Sequence, residues 1–144
     1  MFKNQRGGAA VEFAIVLPLL ALILFGTIDF ALLFYNKQVI TNASREGARA
    51  AIVADNWLQN SSGVPITSDI TAFKIIVVAY CSNRLISLGG ANDLDPDLIG
   101  VVDYDPVNYI TVTVPYDYKH LLSGITGFSN TRLTGKTVMR PEWL

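Results

Sequence analysis

Phe13 to Ile28 is a run of 16 residues without a charged side chain, and it constrains this chain more than any other feature. Carried on to Tyr35, with Asp29 as its one charge, the run covers 23 residues. As a helix it is about 34 Å long at the usual rise per residue. A bilayer hydrocarbon core is about 30 Å thick. Lys3 and Arg6 are the charges of residues 1–7, and basic residues there favour a cytoplasmic N-terminus. All that follows Tyr35 is then expected outside the cytoplasm. Hydrophobic residues make up 51% of the 144 and charged residues 16%, with most of the apolar excess before residue 54. Soluble domains carry roughly a quarter charged residues. The remaining length suffices for about one domain. A net charge of −1 offers no basic face, so nucleic acid is excluded as an expected partner.

A cleaved secretory signal is the competing reading. It needs a basic start, an apolar stretch of roughly 7–15 residues and a small-x-small cleavage site. The start fits, but the stretch is long, and the first Ala-x-Ala pattern, Ala48-Arg49-Ala50, comes far downstream. A retained anchor fits better. Within it Glu12 stands out, since a carboxylate in a bilayer costs several kcal/mol and usually has a partner or a function, the alternative being a place at the interface, among the head groups, at little cost. Asp29, nearer the outer boundary, is expected to reach water. Pro18 is tolerable in a membrane helix.

Helical patterning continues beyond the anchor. Val39, Ile40, Ala43, Gly47, Ala50 and Ala51 recur at steps of three and four, giving one face of small side chains. Lys37, Arg45, Glu46 and Arg49 supply the polar remainder. A helix from about Ala9 to Val53 would be about 68 Å long. Residues 55–68 read as a loop. A second helix is expected to start at Ser68 or Asp69, carry Ile70, Phe73, Ile76, Val77, Tyr80 and Cys81 as its apolar stripe, and end at Gly89-Gly90. Ile99–Tyr104 reads as a strand, and Asp105-Pro106-Val107-Asn108 as a turn. Tyr109–Val114 alternates β-branched and polar side chains, with Pro115 ending it. Residues 116–130 read as a connecting loop and Thr134–Arg140 as a third strand. The expected fold class is α+β: a long N-terminal helix, a shorter helix and a short antiparallel sheet.

The search for chemistry yields little. The single histidine, His120, reads as a hydrogen-bonded or surface residue. The lone Cys81 makes no internal disulfide and reads as a small core residue. Asp93, Asp95 and Asp97 alternate as calcium ligands can, but the glycine and glutamate places of an EF-hand loop fall on Leu98 and Tyr104. Gly135-Lys136-Thr137 lacks the earlier glycine of a phosphate-binding loop. The expectation is a protein without cofactor, metal site or enzymatic activity. The cluster Arg45, Glu46 and Arg49 reads either as a solvated helix face or as an interface.

Arg6-Gly7-Gly8-Ala9-Ala10-Val11-Glu12-Phe13 resembles a type IV prepilin cleavage region. With Ile15-Val16-Leu17-Pro18-Leu19-Leu20, it is similar to the TadE-like and TadF-like pseudopilins of tight-adherence (Flp) pilus systems. Thr41–Ala51, with its Arg45-Glu46-Gly47-Ala48-Arg49, resembles the segment that follows the TadE-like anchor. Met139-Arg140-Pro141-Glu142 resembles that family's closing motif. The resemblance implies a leader of residues 1–7, a transmembrane helix of residues 8–35 and a pilin-like domain of residues 36–144 outside the cytoplasm. It implies cleavage between Gly7 and Gly8 by a prepilin peptidase, residence in a bacterial inner membrane or its pilus, and a part in pilus assembly and cell adhesion. Other pilins, pilus assembly proteins and membrane lipid are the implied partners. Glu12, fifth after the cut, would pair with the freed amine of a neighbour. The alternative is an uncleaved single-pass anchor carrying a ligand-binding domain in the periplasm or outside the cell.

Overall fold

The structure, a computed structural model, describes residues 6–53, 67–90, 94–101, 109–121, 123, 127 and 130–140. Helix α1 runs over Arg6–Val53, 48 residues, so it is about 72 Å long. Pro18 lies inside it without ending it. From Val11 to Ile28 its large hydrophobic side chains are exposed. Past Asn36 the same helix becomes the spine of a head. Val39, Ile40, Ala43, Gly47 and Ala51 are buried there, as the spacing predicts, while Ala50 of the same expected face is half-buried and Ser44 and Ala48 join the buried set.

Helix α2, Thr67–Ser82, packs on α1. Phe73, Val77 and Cys81 point into the core, at steps of four. Of the expected stripe, Ile76 is exposed and Tyr80 half-buried. Burial pushes the Cys81 thiol up to about 11, which suits an inert core residue. The helix stops well short of Gly89-Gly90. Arg84 and Leu85 both donate their N–H to the Cys81 carbonyl, which makes a turn. Asn36 of α1 then takes both backbone groups of Ile86, the groups a continuing helix would have used internally.

Three strands form one antiparallel sheet in the order β1-β2-β3. Strand β1 is Gly100–Val101, β2 is Ile110–Tyr118 and β3 is Thr131–Met139. The short strand β1 is what is described of the expected strand at 99–104. The loop at 55–68 falls almost wholly, and the turn at 105–108 entirely, outside the described residues. Strand β2 does not end at Pro115. Proline lacks the N–H of a ladder and is tolerated where that position faces an unpaired edge. Here β1 reaches only Val112 and Thr113, so no rung on that side is lost at Pro115. On the other side β2 pairs with β3 from Ile110↔Met139 to Tyr118↔Thr131. The connection is therefore residues 119–130 rather than 116–130. The 3₁₀ turn Pro96–Leu98 is capped by the Asp95 carboxylate, which accepts the Asp97 N–H at 2.9 Å.

One sheet face covers α1. Ile110, Val112, Val114, Tyr116 and Tyr118 of β2 alternate inward, next to Leu133 and Gly135 of β3. Two close approaches need glycine. A Cβ at Gly47 would meet Phe73 and Val77 side-chain carbons at 2.6 Å. A Cβ at Gly135 would strike the backbone carbonyl of Ile40. Side chains can rotate away, whereas helix backbone yields little. Overpacking a core costs typically about 1–3 kcal/mol. Gly135→Ala is therefore expected to lower the unfolding free energy of the detergent-solubilised chain by about 2 kcal/mol or more. Gly47→Ala should cost less. Denaturant titration followed by near-ultraviolet circular dichroism reads both, and an equal or reversed order contradicts this packing.

Candidate functional site

Four polar side chains of α1 join helix to head. Asp29 and Asn36 are seven residues apart, as are Lys37 and Ser44, close to two helical turns, so they share a face. Lys37 Nζ donates to the Thr134 carbonyl of β3. Ser44 Oγ and Thr137 Oγ1 share a hydrogen bond of 2.6 Å. Asn36, fully buried, accepts the Ile86 N–H at 2.9 Å and donates to the Ile86 carbonyl. Among the described residues no buried side-chain nitrogen or oxygen lacks a partner.

The densest knot surrounds Asp29. Its carboxylate accepts from Tyr118 Oη at 2.8 Å and from the Leu121 backbone N–H at 3.2 Å. His120 Nδ1 lies 2.7 Å from the other carboxylate oxygen. A carboxylate only accepts, so the Nδ1 proton is on His120 and points at Asp29. His120 Nε2 in turn lies 2.8 Å from Thr131 Oγ1. The Tyr118 and His120 rings meet edge to face, centroids 5.1 Å apart. Burial first, and then donation to Asp29, holds the Tyr118 phenol well above the ordinary tyrosine range. Asp29 is thus buried and does not reach water as the sequence suggested, because the end of β2 and the turn after it close over it.

Asp29, His120 and Thr131 are connected like a catalytic relay of acid, base and hydroxyl. Such a relay works with anion-stabilising donors facing the reacting centre. The backbone donor found beside this one, Leu121 N–H, is committed to Asp29. Thr131 belongs to a strand paired with Tyr118, so its backbone is locked in the sheet. The arrangement serves as a joint that fixes the head on the helix at the point where the exposed apolar half begins.

The residues singled out from the sequence lie elsewhere. Gly7 and Gly8 stand in the first turns of α1, with nothing within 4 Å of either position where a Cβ would be. Glu12 is exposed on the apolar half, with no hydrogen bond or ion pair among the described residues. Arg45, Glu46 and Arg49 are exposed, on the side of α1 turned away from the core. The structure does not bring these groups together. The joint was missed because its members are scattered over 100 residues. The signal for it was the seven-residue spacing of polar side chains along a helix whose other inward positions are apolar or small.

Residues 7–49 match the family model of TadE-like proteins. The matched segment covers the apolar half of α1 and the part of the spine that carries the joint. The TadE-like match associates the chain with the membrane components of a tight-adherence pilus system. No match was found among curated proteins or among solved structures. The long apolar N-terminal helix of this TadE-like segment fits a single-pass membrane anchor.

The joint makes a prediction. Asp29→Ala removes the acceptor of three donors and leaves Tyr118, His120 and Leu121 facing a void. Buried donors left unmade cost about 1–3 kcal/mol. Amide hydrogen exchange at Leu121 should accelerate at least tenfold in the variant. Unchanged protection at Leu121 means that Asp29 does not hold the turn.

Proposed function

We propose that the chain is a minor pilin or pseudopilin of a tight-adherence pilus, anchored by residues 8–35 and processed between Gly7 and Gly8 by a prepilin peptidase. The observation that carries this reading is the coincidence of the TadE-like match with a helix whose first half is wholly uncovered by its own head. A helix hydrophobic all round calls for lipid or other helices around it. Gly7 and Gly8 would offer the cleavage point, with nothing within 4 Å of either position where a Cβ would be, in a first turn whose N–H groups are not yet tied into the helix ladder.

Cleavage there would create an amine at Gly8, about 6 Å along the axis from Glu12. Taking Asp29 as the outer boundary, a hydrocarbon layer of about 30 Å reaches back to about residue 9 and so encloses Glu12. An unpaired carboxylate at that depth is costly, so the group favours an external cation. The new amine of a neighbouring subunit supplies one, and the pairing would fix the register between subunits. Arg45, Glu46 and Arg49 would then face other assembly proteins from the exposed side of the spine. The competing reading is an uncleaved anchor whose head binds a ligand, for instance in the open apolar groove of about 430 Å³ between α2 and the turn at Pro96. It gives Gly7 and Glu12 no role.

Intact mass and N-terminal sequencing of the protein from its native membrane decide between them. A chain beginning at Gly8 is expected, and a chain beginning at Met1 in cells with an active prepilin peptidase favours the uncleaved anchor. Separately, Glu12→Ala should insert in the membrane at normal level yet lose most surface pili by electron microscopy. Normal piliation of that variant removes the pairing role.

A further inference from the structure

The head's lower rim carries apolar side chains that its own fold leaves uncovered. After α2 the chain descends along α1 towards the exposed half. Ile86 is held at the level of Asn36, about 10 Å along the axis from Asp29. Ser87 Oγ donates to the Lys119 carbonyl, and Gly89 abuts the carbonyls of Lys119 and His120, which sit at the level of Asp29. Leu88 is therefore fixed between these two levels. Its side chain is 49% exposed and that of Ile86 42%. Around α1 at the same height, Phe30, Phe34 and Tyr35 are exposed too, and the rings of Phe30 and Phe34 stack edge to face at 4.6 Å.

We propose that the turn Ser87–Gly90 rests in the headgroup layer of the bilayer, so that Leu88 completes, from the head, the interfacial belt begun by Phe30, Phe34 and Tyr35 on the helix. The proposal rests on the membrane-anchor reading of α1. Three observations carry it. Leu88 is exposed at the height where the exposed apolar surface of the helix begins. Leu88 lies between the level of Asp29 and that of Asn36, about 10 Å above it, a span that includes the headgroup layer of about 5–8 Å beyond the hydrocarbon. Tyr35, an aromatic side chain with one polar edge, favours that layer. Lys119, half-buried beside Gly90, stands at the same level as a cation for lipid phosphate. The joint at Asp29 and the contact of Leu88 with lipid would together hold the head in one orientation on the membrane.

The test uses the full chain in phosphatidylcholine vesicles, with single cysteines placed by Leu88→Cys, Val138→Cys and Phe25→Cys. Each is labelled with an environment-sensitive nitrobenzoxadiazole probe. Buried Cys81 stays unlabelled, and the parent chain checks this. Val138 is exposed near the far end of β3, next to Met139, which pairs with Ile110. The probe at 88 should emit to the blue of the probe at 138 and be quenched by lipid spin-labelled near its headgroup. The probe at 25 should be quenched by lipid labelled deep in the acyl chain, and the probe at 138 by aqueous iodide alone. A probe at 88 quenched by iodide like that at 138, with 25 still in the bilayer, overturns the proposal and leaves the anchor intact. A blue-shifted probe at 88 that no lipid label quenches means that protein covers the rim, which also overturns it. A water-accessible probe at 25 overturns the anchor reading itself.

Discussion

A carboxylate placed where a helix leaves an apolar environment must find donors, and in this chain the head supplies them to Asp29. The consequences extend through the fold. Tyr118 must reach α1, so β2 must run on through Pro115 instead of stopping there. Leu121 must turn back towards the helix, which fixes the first step of the connection to β3. His120 must bridge to Thr131, which ties the start of β3 to the end of β2. The lowest rung of the sheet, Tyr118↔Thr131, is thus fastened to the helix by the groups that satisfy the charge. Hydrogen bonds to a charged partner are stronger than neutral ones, and a buried network of this kind specifies one arrangement when every member is satisfied.

Above the joint the fastening changes character. Asn36 clamps the turn after α2, Lys37 reaches the outer carbonyl at Thr134, and Ser44 meets Thr137. Between these polar contacts Ala43, Ala48 and Ala51 of α1 alternate with Val39 and Ile40, Gly47 admits side chains of α2, and Gly135 of β3 lies against the helix backbone. The sheet therefore lies so close to α1 at Ile40 that Gly135 has no room for a methyl group. Close approach gives dispersion contact over much area, but it has no directional preference. The polar contacts provide the direction. Asp29 meets the end of β2 and the turn after it, and Ser44 meets Thr137, so sliding the sheet along the helix by one rung would leave buried groups unmade.

Much of this was legible in the residues. The charge-free run gave the uncovered half of α1, and the three-and-four spacing of Val39, Ile40, Ala43, Gly47 and Ala51 gave the buried face of the spine. Phe73, Val77 and Cys81 gave the inner face of α2. The misreadings have physical causes. Pro115 carries a strong local signal against a strand, but the edge beside it is unpaired, and the alternation Tyr116-Asp117-Tyr118 continued past it. Gly89-Gly90 looked like a helix stop, whereas Asn36, some fifty residues earlier, ends the helical run by capturing Ile86. The joint at Asp29 was the least legible part. Its partners follow it by about 90 residues, and a single aspartate near a membrane boundary looks locally like one that faces water.

The two carboxylates of α1 end in opposite situations, and that difference organises the molecule. Asp29 is satisfied from within, by groups of the same chain that reach it once the head has formed. Glu12 sits about 25 Å further down the same helix, exposed, with no hydrogen bond or ion pair among the described residues. The groups that satisfy Asp29 stand at the other end of the apolar half, so they do not serve Glu12. On the proposed function, what neutralises it is the amine that cleavage would create on a second molecule. A subunit of that kind folds its own head before it has a neighbour, and it still has a reason to acquire one.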